Sequence, residues 1–379
     1  MMNLGLYVHI PFCQQKCFYC DFPSYANLEC LHESYVNALC LEIAAQGALL
    51  SHPVLDTIYI GGGTPTVLNV EALNKIIVAI EKNFAVSPQV ESTIEVNPGT
   101  ANEEKLRMLF ENGINRLSFG VQSFQDRLLK KIGRIHTAKE AEEAVLLAKK
   151  IGFRNLSLDL MYGLPEQTVN DVRKSIDQAA ALGIEHVSVY GLKIEDGTVF
   201  EKLQEQNTLI LPSDTLDEEM YHLVMQLLPR YGYQRYEISN FAKPNFESKH
   251  NLKYWQVKPY LGVGTAAHSY LKEKRFSNLD DVKEYIRRRF AGESTIESCE
   301  SLDCITQIEE FCFLALRMKN GIDLKIFKQK FNRNFFSVYG HIIDRLKFKK
   351  LIAQDGNFIY LTDLGMQYGN QVFCEFLLK

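Results

Sequence analysis

The sequence predicts an α/β fold, a partial barrel of six βα units followed by a smaller, mostly helical C-terminal domain. Up to about residue 235, short apolar runs alternate with longer helical patterns, which is typical of parallel strands joined by helices. This alternation gives six units, whereas a closed barrel of this type has eight. The length of 379 residues also favours a second domain, because one ordinary core rarely takes so long a chain.

Each unit pairs a candidate strand with a helical pattern. We expect strands at residues 5–9, 57–60, 92–96, 116–120, 155–161 and 186–191. We expect helices at residues 31–50, 71–84, 103–112, 138–151, 169–182 and 216–228. Gly113, Gly152 and Gly183 come at or just after the ends of three of these patterns, where glycine commonly terminates a helix. Reactive groups should then gather on the loops that follow the strands, at one mouth of the barrel.

Three regions follow from this pattern. Residues 1–235 form the predicted barrel. Residues 236–300 form a connecting segment that is rich in aromatic residues, Asn, Pro and Gly and has no clean period, so a structured loop region is expected. Residues 301–379 form a C-terminal domain with helices at 304–318, 324–331 and 338–349. A hairpin around Asp355, Gly356 and Asn357 would make it winged-helix-like, an architecture that often serves only protein contacts.

Composition and charge exclude several classes of protein. The chain has 46% hydrophobic and 23% charged residues and a formal charge of -4, which gives no electrostatic reason to expect nucleic-acid binding. The N-terminal residues lack the basic start and apolar stretch of a secretory signal. No apolar run approaches the roughly 20 residues of a membrane span. We expect a cytoplasmic protein, with peripheral membrane contact left open.

Three of the nine cysteines, Cys13, Cys17 and Cys20, fall within eight positions directly after the first predicted strand. An odd number of cysteines with this clustering favours metal binding over a disulfide framework. Three thiolates can hold a four-iron cluster and leave one iron open to an outside ligand. A zinc site that lacks its fourth ligand is the alternative. The six others are expected to be mostly buried, small hydrophobic residues: Cys30, Cys40, Cys299, Cys304, Cys312 and Cys374.

Further candidate site residues also follow predicted strands. The run Gly61-Gly62-Gly63-Thr64-Pro65 comes directly after the second strand, where glycines let the backbone approach a ligand. Polar side chains and one turn stand at other strand ends or loops: Glu95, Gln122, Arg134, Asp159 and Tyr162-Gly163-Leu164-Pro165. Their repetition at equivalent positions predicts one ligand site, although each alone could be a cap or a solvated group.

Together these motifs resemble the oxygen-independent coproporphyrinogen oxidase branch of radical S-adenosylmethionine (SAM) proteins. The matching runs are residues 7–20, 61–65, 95–98, 120–124 and 159–165, in that order. The resemblance implies a radical SAM partial barrel with a [4Fe–4S] cluster on Cys13, Cys17 and Cys20 and with Tyr19 packed beside SAM. It implies that SAM is lined by Tyr7, Gly62, Gly63, Thr64 and Glu95, and that Gln122, Arg134 and Asp159 match positions near a second SAM in the oxidase.

One departure separates relatives within this branch. The oxidase carries a further cysteine two positions after the third cluster cysteine, whereas this chain has Phe22. The ending Cys20-Asp21-Phe22 and the run from His250 to Trp255 are instead similar to the heme chaperones of the branch. That resemblance implies that His250 ligates heme iron and that Tyr254 and Trp255 offer flat apolar surface to the porphyrin. It further implies heme, a heme-acceptor protein and an electron donor protein as partners.

The expected function is therefore heme binding and transfer, assisted or gated by SAM and the cluster. Whether the protein turns over as an enzyme stays open, and no catalytic residue is assigned. The alternatives are a coproporphyrinogen III oxidase, which Phe22 disfavours, and a zinc-bound interaction module, which leaves the Gly61–Pro65 motif unexplained.

Overall fold

The computed structural model describes residues 3–378, which contain fifteen strands and fifteen α-helices. The strands are β1 (Asn3–Ile10), β2 (Val54–Gly62), β3 (Ala85–Val96), β4 (Arg116–Gln122), β5 (Leu156–Tyr162), β6 (His186–Gly191), β7 (Gln234–Arg235), β8 (Asn240–Ala242), β9 (Tyr260–Val263), β10 (His268–Leu271), β11 (Lys274–Asn278), β12 (Ile296–Ser301), β13 (Ile322–Asp323), β14 (Ile352–Asp355) and β15 (Phe358–Leu361). The helices are α1 (His32–Leu49), α2 (Val70–Asn83), α3 (Glu103–Glu111), α4 (Asp126–Lys131), α5 (Ala138–Ile151), α6 (Val169–Ala181), α7 (Val199–Glu205), α8 (Asp214–Arg230), α9 (Lys249–Trp255), α10 (Val282–Ala291), α11 (Cys304–Ala315), α12 (Leu324–Phe331), α13 (Phe335–Phe348), α14 (Asp363–Gln367) and α15 (Gly369–Cys374).

The six predicted βα units are confirmed. Strands β1 to β6 lie side by side in chain order and all pair in parallel. Polar caps explain where the intervening helices begin: Thr137 and Thr168 each close a capping box with the acidic residue three positions later. The carboxyl ends of these strands meet at one edge of the sheet, which positions the loops of the site.

The segment 236–300 differs from its prediction as a loop region. Strand β9 pairs in parallel with β1, and β10, β11 and β12 extend the sheet antiparallel beyond it, while β8 and β7 extend the opposite edge. All four residues of β9 are buried, so the period-two alternation of a half-exposed strand is missing there. The segment therefore completes the sheet of the first region. The predicted domain boundaries at residues 235 and 300 stay predictions.

The C-terminal part has its own core, built from buried residues between Ile308 and Phe376. Its order α11-β13-α12-α13-β14-β15 is the winged-helix-like arrangement expected, and β14 and β15 form the predicted hairpin around Gly356. It packs on the larger sheet through the Arg275–Glu310 ion pair, with Nη2 and Oε2 2.7 Å apart, and the Lys319 amide, which donates to the Tyr236 carbonyl at 2.9 Å.

All nine cysteines are free thiols. The expected burial of the six outside the cluster motif holds for Cys312 alone. Cys40 is half-buried, and four are exposed: Cys30, Cys299, Cys304 and Cys374. The prediction failed because Cys299 lies on β12, whose residues are all exposed, and because Cys304 and Cys374 are the end residues of α11 and α15.

Within residues 3–378, the structure contains no helix with the length and apolar character needed to cross a membrane.

Candidate cluster and ligand site

The loop after β1 carries the three clustered thiols. Backbone hydrogen bonds hold it, from the Cys13 amide to the Tyr25 carbonyl at 3.0 Å and from the Cys20 amide to the Cys17 carbonyl at 3.2 Å. All three side chains are half-buried. Burial raises the pKa of the Cys13 and Cys20 thiols, so binding of a metal or cluster there would release protons.

The glycine loop after β2 packs directly against the cysteine loop. The Gly63 amide donates to the Ile10 carbonyl at 2.8 Å, and the Thr64 amide donates to the Phe12 carbonyl at 2.7 Å. A Cβ atom at Gly63 would lie 2.6 Å from the Phe12 carbonyl oxygen and 3.1 Å from the Cys13 sulfur. This position therefore needs glycine so that the two loops can approach.

A cavity of about 380 Å³ lies at this edge of the sheet, within the usual size range of small-molecule sites. The structure brings together all but one of the predicted cluster and SAM residues around it: Cys13, Cys17, Tyr19, Cys20, Gly62, Gly63, Thr64, Glu95, Gln122, Arg134 and Asp159. Of the residues described, no three His, Cys, Asp or Glu side chains are grouped so that they could hold a single metal ion.

Two buried carboxyl groups face this cavity. Glu95 accepts hydrogen bonds from the Tyr59 hydroxyl at 2.8 Å and from the Gly62 amide at 3.1 Å. Burial raises the pKa of Glu95 to about 7 despite these bonds. Burial also raises the pKa of Asp159, which accepts a 3.5 Å hydrogen bond from the Ser118 hydroxyl. Both groups could bind a cationic ligand, and the charge on Glu95 changes near neutral pH.

Arg134 connects the cluster loop with β4. Its Nη1 lies 3.3 Å from the Cys17 sulfur, and its Nη2 donates to the Gly120 carbonyl. Its buried Nε has no hydrogen-bond partner within residues 3–378. The guanidinium therefore holds positive charge beside the thiol, where it would stabilise a thiolate.

Sequence reasoning missed Arg116, which also lines the cavity and is 2% exposed. Its Nε is another buried donor for which the described part of the chain supplies no partner. An arginine at the start of a mostly apolar strand was the signal in the sequence, since a cation is rarely buried without a reason.

Tyr7, the remaining predicted SAM residue, lies instead on a second and larger cavity of about 650 Å³. Its hydroxyl is 3.0 Å from Nδ1 of His9, and its ring stacks on Tyr59 with centroids 6.2 Å apart. This cavity opens between α9, the β9–β11 strands and α11. Its aromatic lining comprises Tyr7, Phe22, Tyr254, Trp255, Tyr260 and Tyr270.

The two cavities are neighbours with a shared wall. Phe22 lines both of them and is 62% exposed. Helix α9 separates them as well, with Asn251 on the smaller cavity and Tyr254 and Trp255 on the larger one. A movement of Phe22 or α9 at one cavity would therefore also change the wall of the other cavity.

His250, the heme ligand that the resemblance implies, lines neither cavity and is 0% exposed. Its Nδ1 lies 2.9 Å from the Thr57 hydroxyl and its Nε2 lies 2.8 Å from the Tyr254 hydroxyl. Burial lowers the pKa of His250 to about 3, so the imidazole is neutral. Its role as an iron ligand stays a prediction that requires one of these two contacts to break, because iron binds only one ring nitrogen.

Helix α9 is anchored to the sheet by charged groups. The Lys253 ammonium pairs with Asp56 at 2.7 Å, and the His250 amide donates to Glu91 at 3.1 Å. The Lys253 side chain is only 5% exposed and the Asp56 side chain is 30% exposed, so the pair is shielded from solvent mainly on its lysine side. These contacts hold Tyr254 and Trp255 in place at the cavity.

A parallel βα sheet whose first loop carries three free thiols beside a glycine-lined cavity defines the radical SAM class of protein. Residues 7–179 match the Radical SAM superfamily, and residues 302–368 match the HemN C-terminal domain. The chain belongs to the family of proteins named heme chaperone HemW. It is 42% identical to the Bacillus subtilis member over 98% of both chains. It is 40% identical to the Lactococcus lactis member, over 98% of this chain and 97% of the relative.

The same fold occurs in a solved structure. Coproporphyrinogen III oxidase (HemN) from Escherichia coli, described as a radical SAM enzyme, superposes with a TM-score of 0.88 over 99% of this chain and 90% of its own. The two sequences are 24% identical, so this likeness concerns the fold alone.

The donor set of the smaller cavity fits the cofactors of the class. Three half-buried thiols beside a guanidinium suit an iron–sulfur cluster, and the carboxyl groups and glycine backbone suit a cationic ligand such as SAM. When bound, the cluster and SAM would supply one-electron chemistry.

Proposed function

We propose that this protein is a heme chaperone of the cytoplasm, which binds heme in the larger cavity and passes it to an acceptor protein. The cluster, on Cys13, Cys17 and Cys20, and SAM would occupy the smaller cavity, and an electron donor protein would serve the cluster. The observation that carries the proposal is the shared wall, since Phe22 and α9 border both cavities. The relatives named heme chaperone HemW support the choice of cargo.

The chemistry of the larger cavity supports heme as its occupant. Its volume of about 650 Å³ falls in the range for organic ligands, and Tyr254 and Trp255 present flat apolar surface on one side. The rings of Tyr254 and Tyr260 meet edge to face, with centroids 4.7 Å apart, so this surface is held rigidly. A rigid aromatic wall binds a planar macrocycle with little loss of side-chain entropy.

Heme titration of the anaerobically reconstituted protein, followed by transfer to apomyoglobin, tests this function. We expect a Soret band that saturates at one heme per chain and moves to the myoglobin spectrum when the acceptor is added. Trp255→Ala should weaken heme binding by about tenfold, which corresponds to about 1.4 kcal/mol of lost contact. Phe348→Ala is the matched control, because Phe348 is 89% exposed and lines neither cavity.

The proposal fails if the wild-type protein shows no saturable heme binding. The proposed location of heme in the larger cavity is wrong if Trp255→Ala and Phe348→Ala both bind heme with the wild-type affinity.

A further inference from the structure

We propose that His268, rather than a residue of α9, ligates the iron of heme in the larger cavity. This inference rests on the proposed function, and it assigns a residue that the sequence motif does not contain. His268 is exposed at the first position of β10 and lines the cavity.

The pairing of β10 with its neighbours directs His268 into the cavity. His268 lies opposite Ser277, and Tyr270 lies opposite both Arg275 and Tyr260. Directly paired residues of antiparallel strands, and residues two apart on one strand, point to the same face of a sheet. All five side chains line the larger cavity, so this face of β9–β11 is its wall.

The imidazole of His268 is free to accept a metal. Within residues 3–378, neither of its ring nitrogens has a hydrogen-bond partner. His9, the other histidine on this cavity, has Nδ1 3.0 Å from the Tyr7 hydroxyl and Nε2 2.9 Å from the Pro23 carbonyl. His250 is held at both nitrogens and lies behind Tyr254.

The tyrosines of the cavity are poorer ligands. A phenol binds ferric iron as the phenolate, and burial raises the pKa of Tyr254 and of Tyr260 above the ordinary value. Imidazole binds in its neutral form and loses no proton. Of the nine cysteines, none lines this cavity. His268 therefore has the access and the free nitrogen that ligation requires.

The positions of the walls suit this assignment. Tyr254 and Trp255 approach from α9, whereas His268 approaches from β10, so aromatic surface and ligand come from different elements. The macrocycle would lie between them. The aromatic contact from α9 and the iron ligation from β10 are separate interactions, so a substitution can remove one and leave the other in place.

The test compares heme spectra of His268→Ala, His250→Ala and the matched control His341→Ala, whose histidine is exposed on α13 and lines neither cavity. We expect His268→Ala alone to shift the Soret band and to weaken heme binding by at least about tenfold, as loss of a metal ligand should. Added imidazole should restore the wild-type Soret position in His268→Ala. His250→Ala that remains folded should keep that position.

The inference is overturned if His268→Ala binds heme with the wild-type spectrum and affinity, or if folded His250→Ala shows the shift and the imidazole rescue instead. Either result leaves the proposed function standing, because heme would still bind. Absence of heme binding in the wild-type protein would reject the proposed function itself.

Discussion

The Nε2 atom of His250 lies 2.8 Å from the hydroxyl of Tyr254, and this contact joins the buried side of α9 to the wall of the larger cavity. On the other side of the ring, Nδ1 lies 2.9 Å from the hydroxyl of Thr57 on β2. The imidazole thus bridges helix and sheet. Its place in the structure is that of a fixed support for an aromatic ligand wall.

We expect His250→Ala to lower the free energy of unfolding by about 2 kcal/mol or more, because it leaves the buried Thr57 hydroxyl and the part-buried Tyr254 hydroxyl without their partner and opens a cavity. Urea unfolding of the apoprotein measures this loss. His341→Ala, at an exposed position, should change stability by no more than about 0.5 kcal/mol. Equal stability of the two variants would contradict the bridging role.

The sequence predicted the βα region well because two local signals agree there. Strand β6 and helix α5 have the predicted bounds, since buried apolar runs and a capping residue such as Thr137 mark their ends. Helix α9 and strands β9 to β11 were missed, because they are short and their residues are chosen by long-range packing. The pairing of β9 with β1 has no local signature in the sequence.

Because long-range pairing leaves no local signal in the sequence, only some of the site residues could be predicted. Residues at the carboxyl ends of β1 to β5 gather around one cavity, as the parallel order requires. Tyr7 faces the second cavity instead, which exists because β9–β11 and α11 close around it. Without those elements, neither the larger cavity nor the place of His268 in its wall could be inferred from the sequence.

We expect Cys17→Ala to lose the iron–sulfur cluster, whereas Cys30→Ala should keep it. Cys17 lines the smaller cavity and contacts Arg134, while Cys30 is exposed and lies on neither cavity. Iron and acid-labile sulfide are measured after anaerobic reconstitution, with about four of each per wild-type chain. A full complement in Cys17→Ala, or its loss in Cys30→Ala, would refute the assignment of the ligands.

We expect the protein not to convert coproporphyrinogen III to protoporphyrinogen IX. Phe22 stands where the oxidase resemblance implies a further cysteine, and its apolar ring lines both cavities. A phenyl ring cannot replace the acid–base or redox chemistry of a thiol. Anaerobic assays with SAM and a reductant that supports an authentic oxidase give the measurement, and product above the no-protein control would restore the oxidase alternative.

We expect SAM to bind more tightly as pH rises from 6 to 8, because Glu95 ionises in this range. Burial raises the pKa of Glu95 to about 7, so the free site carries a neutral carboxyl below that pH and a carboxylate above it. SAM carries a sulfonium and an ammonium group, which the carboxylate attracts and the neutral carboxyl does not.

If only the ionised form of Glu95 allows binding, the affinity for SAM rises at most about tenfold between pH 6 and pH 8. Equilibrium dialysis of reconstituted protein at a series of pH values measures the gain. Glu95→Gln is the matched control: it retains the shape of the side chain and one of the two acceptor oxygens that Tyr59 and Gly62 use. Its pH profile contains only the titration of SAM itself and of other groups. The variant should bind SAM more weakly above pH 7 and lack the gain seen in the wild type. Parallel pH profiles for the two proteins would show that Glu95 does not act through its charge.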